Sequence, residues 1–103
     1  MDETGKKAKK KIYLSGGISG FDIEKVEIMF DNAQHDLEQH DYNVVNSLNH
    51  VPHSATLEQR IVKNIELLFT CDIIYMLPNW KESTEAQIEY LIASKRGMEV
   101  MYY

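Results

Sequence analysis

Cysteine, proline and long apolar runs are all scarce in this sequence of 103 residues. The single cysteine, Cys71, excludes an internal disulfide. No apolar run approaches the roughly 20 residues that a membrane-spanning helix needs. No apolar stretch follows the N-terminal lysines, which argues against a secretory signal. We therefore expect a soluble cytoplasmic protein without a membrane partner.

Basic residues are scarce beyond the N-terminus. The formal net charge is -5, divided into +3 for residues 1–11 and -8 for residues 12–103. An acidic body argues against binding to a nucleic-acid polymer, whose phosphates need a basic surface. Residues 1–10 are predicted to form a disordered basic tail, and residues 11–103 a single domain.

Metal ligands do not converge in the sequence. The four histidines form two loose pairs, His35 with His40 and His50 with His53. A metal site needs more ligands than either pair supplies. The sequence therefore predicts no metal site and no other cofactor.

Four strand-like segments alternate with three helical patterns. Strand-forming residues occur at 11–15, 44–45, 72–77 and 99–102. The near-continuous apolar run at 72–77 is typical of a central parallel strand covered on both faces. The order β-α-β-α-β-α-β predicts a three-layer α/β domain of the flavodoxin/Rossmann-like kind, with a parallel sheet in the strand order 2-1-3-4.

Local patterns refine the predicted helices. Asp22 is a candidate cap for the first helix. The third helix is predicted to begin near Ser83 or Thr84, because Thr84 has capping-box spacing from Gln87. The second helix is predicted to present one apolar face, made of Leu57, Ile61, Ile65 and Leu68.

The loop that follows the first strand reads Ser15-Gly16-Gly17-Ile18-Ser19-Gly20. Its glycines allow backbone N–H groups to approach an anion closely, and the following helix adds a partial positive charge. The loop has neither the dinucleotide-binding order of glycines nor a P-loop lysine. It is either an anion cradle or simply a tight turn between strand and helix.

Glu89 lies within the third helix, between apolar residues. A carboxylate at the second turn of a helix can reach back toward the carboxyl ends of the strands, where ligands bind in sheets of this kind. Buried there, it would need a partner or a chemical role. The alternative is a solvated glutamate on the outer face of the helix.

Three stretches of this sequence resemble the nucleoside 2-deoxyribosyltransferase superfamily, and in particular a compact branch of it. The sequence is also similar to the 2'-deoxynucleoside 5'-phosphate N-hydrolases. The most specific part is Trp80-x-x-Ser83, followed by Ala86 and Glu89, after an apolar strand. The other two stretches are Ile12-Tyr13-Leu14-Ser15-Gly16-x-Ile18-x-Gly20 and Asn43-Val44-Val45-Asn46.

The resemblance implies cleavage of an N-glycosidic bond in a nucleoside or nucleotide, by hydrolysis or by deoxyribosyl transfer. Glu89 would be the nucleophile, Tyr13 would position it, and Asn64 would stand where the family has an acid. Ser83 would touch the sugar or its 5' substituent, and Trp80 would either line the base pocket or cap the sheet. The remaining predicted substrate contacts are Ser15, Gly16, Gly17, Ser19, Gly20 and Asn46.

The sequence departs from the family pattern at three positions. Asn64 replaces the usual aspartate, and an amide cannot transfer a proton as a carboxyl does. Ser19 replaces the arginine of the phosphate-hydrolase relatives, which removes a bidentate phosphate donor. Glu85-Ala86 replaces the usual Gly-Ala and adds a carboxylate beside the crevice, which is expected to repel a phosphate and to crowd the site.

These departures leave two further functions open. One is a catalytically impaired nucleotide-binding domain. The other is an interaction domain that shares only the fold with the enzymes. A homo-oligomer, a dimer or larger, is also predicted. The C-terminus, Met101-Tyr102-Tyr103, is apolar, and related enzymes often complete their sites across subunits.

Overall fold

The computed structural model describes residues 9–103. The predicted tail at 1–10 therefore lies, except for its last two residues, outside the described part of the chain. The seven main elements are β1 (Lys11–Ser15), α1 (Ile23–Gln39), β2 (Asn43–Val45), α2 (Leu57–Leu68), β3 (Ile73–Met76), α3 (Thr84–Lys95) and β4 (Glu99–Tyr102). Single turns of 3-10 helix occur at Ser47–Asn49 and Trp80–Glu82.

The four strands form one parallel sheet in the order β2-β1-β3-β4, which confirms the predicted topology. β1 and β3 lie at the centre, and Ser15 pairs with Met76 at their carboxyl ends. The chain leaves β1 toward one edge of the sheet and β3 toward the other, so a crevice opens between the loops that follow these two strands.

Two apolar layers cover the sheet and give the predicted three-layer arrangement. On one face, Ile12 and Leu14 of β1 pack against α1 through Val26 and Phe30. On the other face, Tyr13 packs with buried residues of α2, α3 and the neighbouring strands, namely Val45, Leu68, Ile74, Met76 and Ala93. Because side chains alternate along a strand, Tyr13 and Ser15 point toward α2 and α3.

The helix starts follow their capping residues. The Asp22 side chain accepts a hydrogen bond from the backbone N–H of Glu24, which confirms it as the α1 cap. Ser83 caps α3, with its Oγ 3.1 Å from the N atom of Ala86. The predicted capping box of Thr84 is wrong, because Ser83 has the extended backbone of a cap and Thr84 is already helical.

The buried side of α2 differs from the predicted apolar face. Arg60, Asn64 and Leu68 are buried, whereas Leu57 is 39 % exposed and Ile61 and Ile65 are only half-buried. The helix is therefore rotated so that two polar side chains face the domain interior. This orientation is possible because α3 and the loops supply polar partners for both of them.

Candidate active site

The Glu89 carboxylate is the centre of a buried polar cluster at the carboxyl end of β1. Its Oε1 accepts a hydrogen bond from the Ser15 hydroxyl at 2.7 Å. Its Oε2 accepts hydrogen bonds from the Tyr13 hydroxyl at 3.0 Å and from the Asn64 Nδ2 at 3.1 Å. Only 2 % of Glu89 is exposed. Three donors from two elements, β1 and α2, thus hold this carboxylate of α3 in a fixed orientation.

Simple periodicities bring these residues together. Tyr13 and Ser15 are two residues apart on β1 and so point to the same face of the sheet. Glu89 belongs to the inner face of α3, whose other buried residues are Glu85, Ala86 and Ala93. The two alanines allow α3 to approach the sheet closely, and this places both glutamates beneath the strand ends.

Burial changes the proton affinity of both acidic groups in the cluster. Desolvation raises the pKa of Glu89 from 4.5 to about 7, although its three hydrogen-bond donors oppose the change. Burial, followed by the charge of Glu89, raises the pKa of Tyr13 well above its usual 10. Tyr13 therefore remains a hydrogen-bond donor at every physiological pH, whereas Glu89 changes its charge near neutrality.

We expect Glu89→Gln to stabilise the fold increasingly as the pH rises. Because the pKa of Glu89 is higher in the folded than in the unfolded chain, the folded state binds more protons between pH 4.5 and 7. Wild-type stability therefore falls as the pH rises through this window. Glutamine cannot ionise, so the variant should gain roughly 2 kcal/mol relative to wild type between pH 5 and 8.

Urea unfolding at several pH values measures this difference. Glu82→Gln is the matched control, because Glu82 is exposed in the turn just before α3. Its unfolding free energy should stay within about 0.5 kcal/mol of wild type across the range. A Glu89→Gln difference that does not grow with pH would show that Glu89 is ionised normally in the fold.

A second buried carboxylate, Glu85, lies against the loop formed by residues 15–20, the glycine loop. Its Oε1 accepts hydrogen bonds from the backbone N–H groups of Ile18 at 2.7 Å and Ser19 at 2.8 Å. The Ser19 hydroxyl lies 3.4 Å from Oε2. Glu85 is 2 % exposed. The loop is therefore an anion cradle, as one of the two sequence interpretations held, but its anion belongs to the protein.

Arg60 lies behind Glu85 and is almost completely buried. Its Nη2 donates to the carbonyl oxygen of Pro52 at 3.3 Å, and its Nε is 4.0 Å from the Glu85 Oε2. Within residues 9–103, Nε and Nη1 of Arg60 and Oδ1 of Asn64 find no hydrogen-bond partner. Buried polar atoms are rarely left unpaired in a folded domain, so these three atoms stand out in the site.

Asn79, in the loop after β3, holds the other side of the glycine loop. Its Oδ1 accepts from the Gly17 N–H at 2.9 Å, and its Nδ2 donates to the Gly17 carbonyl oxygen at 3.2 Å. A side chain at position 17 would collide with the Phe21 ring, 2.4 Å from the place of its Cβ. Gly20 has a φ of +84°, a backbone conformation that favours glycine.

Three other residues of the predicted site make contacts within the protein itself. The Ser83 hydroxyl accepts from α3 but keeps its own hydrogen to donate. Trp80 packs against Tyr90, with ring centroids 4.8 Å apart, and against the apolar cluster that contains Tyr13, so its role in a base pocket stays a prediction. Asn46 accepts from the Leu48 N–H and donates to the Gln34 Oε1, so its contact with a substrate stays a prediction.

A cavity of about 490 Å³ adjoins the glycine loop. Ser19, Gly20 and Phe21 line one side, and His53 and Arg60 line the other. The cavity therefore lies between the loop after β1 and the segment around the start of α2. Among residues 9–103, no three His, Cys, Asp or Glu side chains are grouped closely enough to hold a metal ion.

Glu89, Tyr13 and Asn64 were predicted to share one site. In the structure, the side chains of Tyr13 and Asn64 both donate hydrogen bonds to Glu89. The structure also brings in Ser15, which was predicted to contact the substrate and here contacts Glu89. Arg60 and Asn79 were not predicted as site residues, because they contact the site only through residues distant in the sequence. An arginine among the apolar residues of a predicted amphipathic helix was the one available signal.

The fold and this cluster together define a flavodoxin-like α/β domain with a buried carboxylate site at the point where its strand order reverses. Residues 10–102 match the family described as Domain of unknown function (DUF4406), and the chain belongs to that family. No curated protein is significantly similar to the chain. Across the described residues, no helix has the length and apolar character needed to cross a bilayer.

Proposed function

We propose that this protein cleaves the N-glycosidic bond of a deoxynucleoside or deoxynucleotide, with Glu89 as the nucleophile. The observation that carries the proposal is the Glu89 carboxylate, which three donors hold at the carboxyl end of the central strand β1. Ligands bind at this end of the strands in sheets of this kind. Buried carboxylates with a raised pKa are concentrated in catalytic sites. The resemblance to the nucleoside 2-deoxyribosyltransferases supports the same residue in the same role.

The reaction proceeds in two displacements at the anomeric carbon. A Glu89 oxygen forms a bond to C1', while the bond from C1' to the base nitrogen breaks and its electron pair leaves with the base, which takes up a proton. Water then attacks C1' and gives up a proton, which balances the proton taken up by the base, and the Glu89 carboxylate is released together with 2-deoxyribose or its 5'-phosphate. A second base in place of water would give deoxyribosyl transfer.

The hydrogen bonds favour Oε1 as the attacking oxygen. Within the described chain, Oε2 accepts from both Tyr13 and Asn64, whereas Oε1 accepts only from Ser15. A lone pair therefore remains on Oε1 for the attack on C1'. The donors on Oε2 fix the orientation of the carboxylate, and they stabilise its negative charge when the second step releases it.

The decisive experiment incubates the protein with deoxynucleosides and their 5'-monophosphates and measures free base by chromatography. We expect base release, and we expect its rate to rise with pH through about 7, because Glu89 must be ionised to attack. The matching ribonucleosides serve as substrate controls. If none of the deoxy compounds releases base at enzyme concentrations near that of the substrate, the proposal is wrong.

A nucleotide-binding domain without turnover is the second candidate function. Asn64 favours it, because no described residue in contact with Glu89 is a carboxylic acid or histidine that could protonate the leaving base. This candidate predicts that deoxynucleosides raise the melting temperature without release of base. The two candidates therefore differ in turnover and agree in binding.

Homo-oligomerisation also stays a prediction. Tyr102 and Tyr103 at the C-terminal edge strand are more than half exposed, as are Phe69 after α2 and Leu91 on α3. Exposed large apolar side chains that adjoin one another are typical of contact surfaces between subunits, and Tyr102 and Tyr103 adjoin in the sequence. Light scattering in solution would measure the number of chains directly.

A further inference from the structure

Glu85 is a buried charged group that the proposed displacement does not use. It lies four residues before Glu89 on the inner face of α3, so the helical rise separates the two by about 6 Å. That separation is of the order of the span from C1' of a deoxyribose to its 5' substituent. A sugar whose C1' contacts Glu89 therefore extends toward the group bound by Glu85.

The Glu85 carboxylate has the surroundings that a bound phosphate would need. Two backbone N–H groups point at one oxygen, a hydroxyl lies near the other, and a buried guanidinium stands 4.0 Å away. Backbone amides at a glycine loop and an arginine are the usual ligands of a phosphate group. In this chain, a carboxylate from α3 already fills that position.

An incoming phosphate would face two penalties. It would have to displace Glu85 from two short hydrogen bonds to Ile18 and Ser19, because the amides cannot serve both anions. If Glu85 remained nearby, two negative charges would meet in a site with little exposure to water, where like charges repel strongly. A neutral hydroxymethyl group meets neither penalty, and the Glu85 carboxylate can accept its hydrogen.

We propose that Glu85 determines the substrate class of this site, admitting deoxynucleosides with a free 5'-hydroxyl and rejecting 5'-phosphates. This inference rests on the proposed function for the identity of the substrate. It rests on the structure of the loop alone for the exclusion of the anion. Glu85 is thus a specificity-determining residue and takes no part in the displacement at C1'.

Inorganic phosphate tests the exclusion without any need for turnover. In ¹⁵N–¹H spectra of the wild-type protein, millimolar phosphate should leave the amide signals of Ile18 and Ser19 in place. In Glu85→Ala, the same two amides lose their carboxylate partner and Arg60 loses its counter-charge, so both signals should shift with saturation. Glu82→Ala removes an exposed charge close by and should behave as wild type.

A second variant keeps the test decisive if Glu85→Ala does not fold. Glu85→Gln keeps a carbonyl oxygen for the two amides and removes only the charge, so we expect it to bind phosphate more tightly than wild type. In the activity assay, the preference for deoxynucleoside over 5'-monophosphate should fall by roughly tenfold or more in Glu85→Ala. Saturable phosphate shifts at Ile18 and Ser19 in wild type, or no gain in either variant, would overturn the inference.

The activity assay separates failure of this inference from failure of the proposed function. If no form of the protein releases base while the phosphate titration behaves as expected, the glycosidic function is wrong and the exclusion stands. If wild type cleaves 5'-monophosphates as well as deoxynucleosides, the glycosidic function stands and the exclusion is wrong.

Discussion

Replacing Glu89 with glutamine is expected to lower the rate of base release by about 10⁴-fold or more, the scale seen when a covalent nucleophile is removed. Glutamine keeps the shape of the side chain. Its Oε1 can accept from Tyr13 and Asn64, and its Nε2 can donate to the Ser15 hydroxyl, which rotates to accept. An amide cannot form the ester to C1' in the first displacement, so chemistry is lost while the fold is kept.

Initial rates with saturating deoxynucleoside measure this loss, and chromatography of the free base gives the signal. Glu82→Gln removes an exposed carboxylate seven residues earlier and should keep the wild-type rate. Cooperative unfolding of Glu89→Gln, with a stability gain that grows with pH, establishes that its fold is intact. Base release at the wild-type rate in Glu89→Gln would remove Glu89 from the chemistry altogether.

The fold was predictable because its determinants are local. The apolar run at 72–77 buries its side chains only in a strand that is covered on both faces, and β3 is such a central strand. Asp22 and the apolar spacing after it define α1 without reference to any other element. Once the alternation of strands and helices is known, the rule of right-handed crossovers leaves few arrangements of a four-stranded parallel sheet.

The orientation of α2 could not be predicted in the same way. Periodicity assigns the buried side of a helix to its apolar residues, and this favours the face that contains Leu57. The structure instead buries Arg60 and Asn64, because Asn64 has a partner 25 residues further along the chain in Glu89. A polar residue is buried where its partner is, and pairing over such a distance leaves no periodic signal in the sequence.

The hydrogen-bond partners of Glu85 could likewise not be predicted from the sequence. The residue was recognised as an added carboxylate beside the crevice, which predicts crowding and repulsion. Its hydrogen bonds to Ile18 and Ser19 join positions 66 and 67 residues apart, and only the packing of α3 against the sheet brings them within 2.8 Å. The glycines left an anion at this loop as one of two interpretations, and they could not indicate that the chain itself supplies it.

Asn64→Asp is expected to raise the rate of base release by roughly 10²–10⁴-fold, the usual contribution of a positioned general acid. The Asn64 Nδ2 lies 3.1 Å from the Glu89 Oε2, so an aspartate there would place two carboxyl groups in direct contact. Two such groups cannot both be ionised in a buried site, and they share one proton over a wide pH range. The shared proton can then be given to the leaving base while Glu89 attacks.

The pH dependence of the variant distinguishes this mechanism from a general improvement of the site. Wild-type activity should rise through about 7 and then level off, because only the ionisation of Glu89 controls it. The variant should show a bell-shaped profile, because its rate requires one ionised and one protonated carboxyl group. Asn49→Asp adds the same charge at an exposed position and should leave both the rate and the profile unchanged.

The same variant separates the two candidate functions. If wild type binds deoxynucleosides without turnover and Asn64→Asp releases base, the native protein is a binding domain that lacks only its acid. If both release base, the native enzyme acts slowly on bases that leave without protonation. If Asn64→Asp folds and binds the ligand but gains no activity, the missing acid is not what limits this site, and the interpretation of Asn64 is wrong.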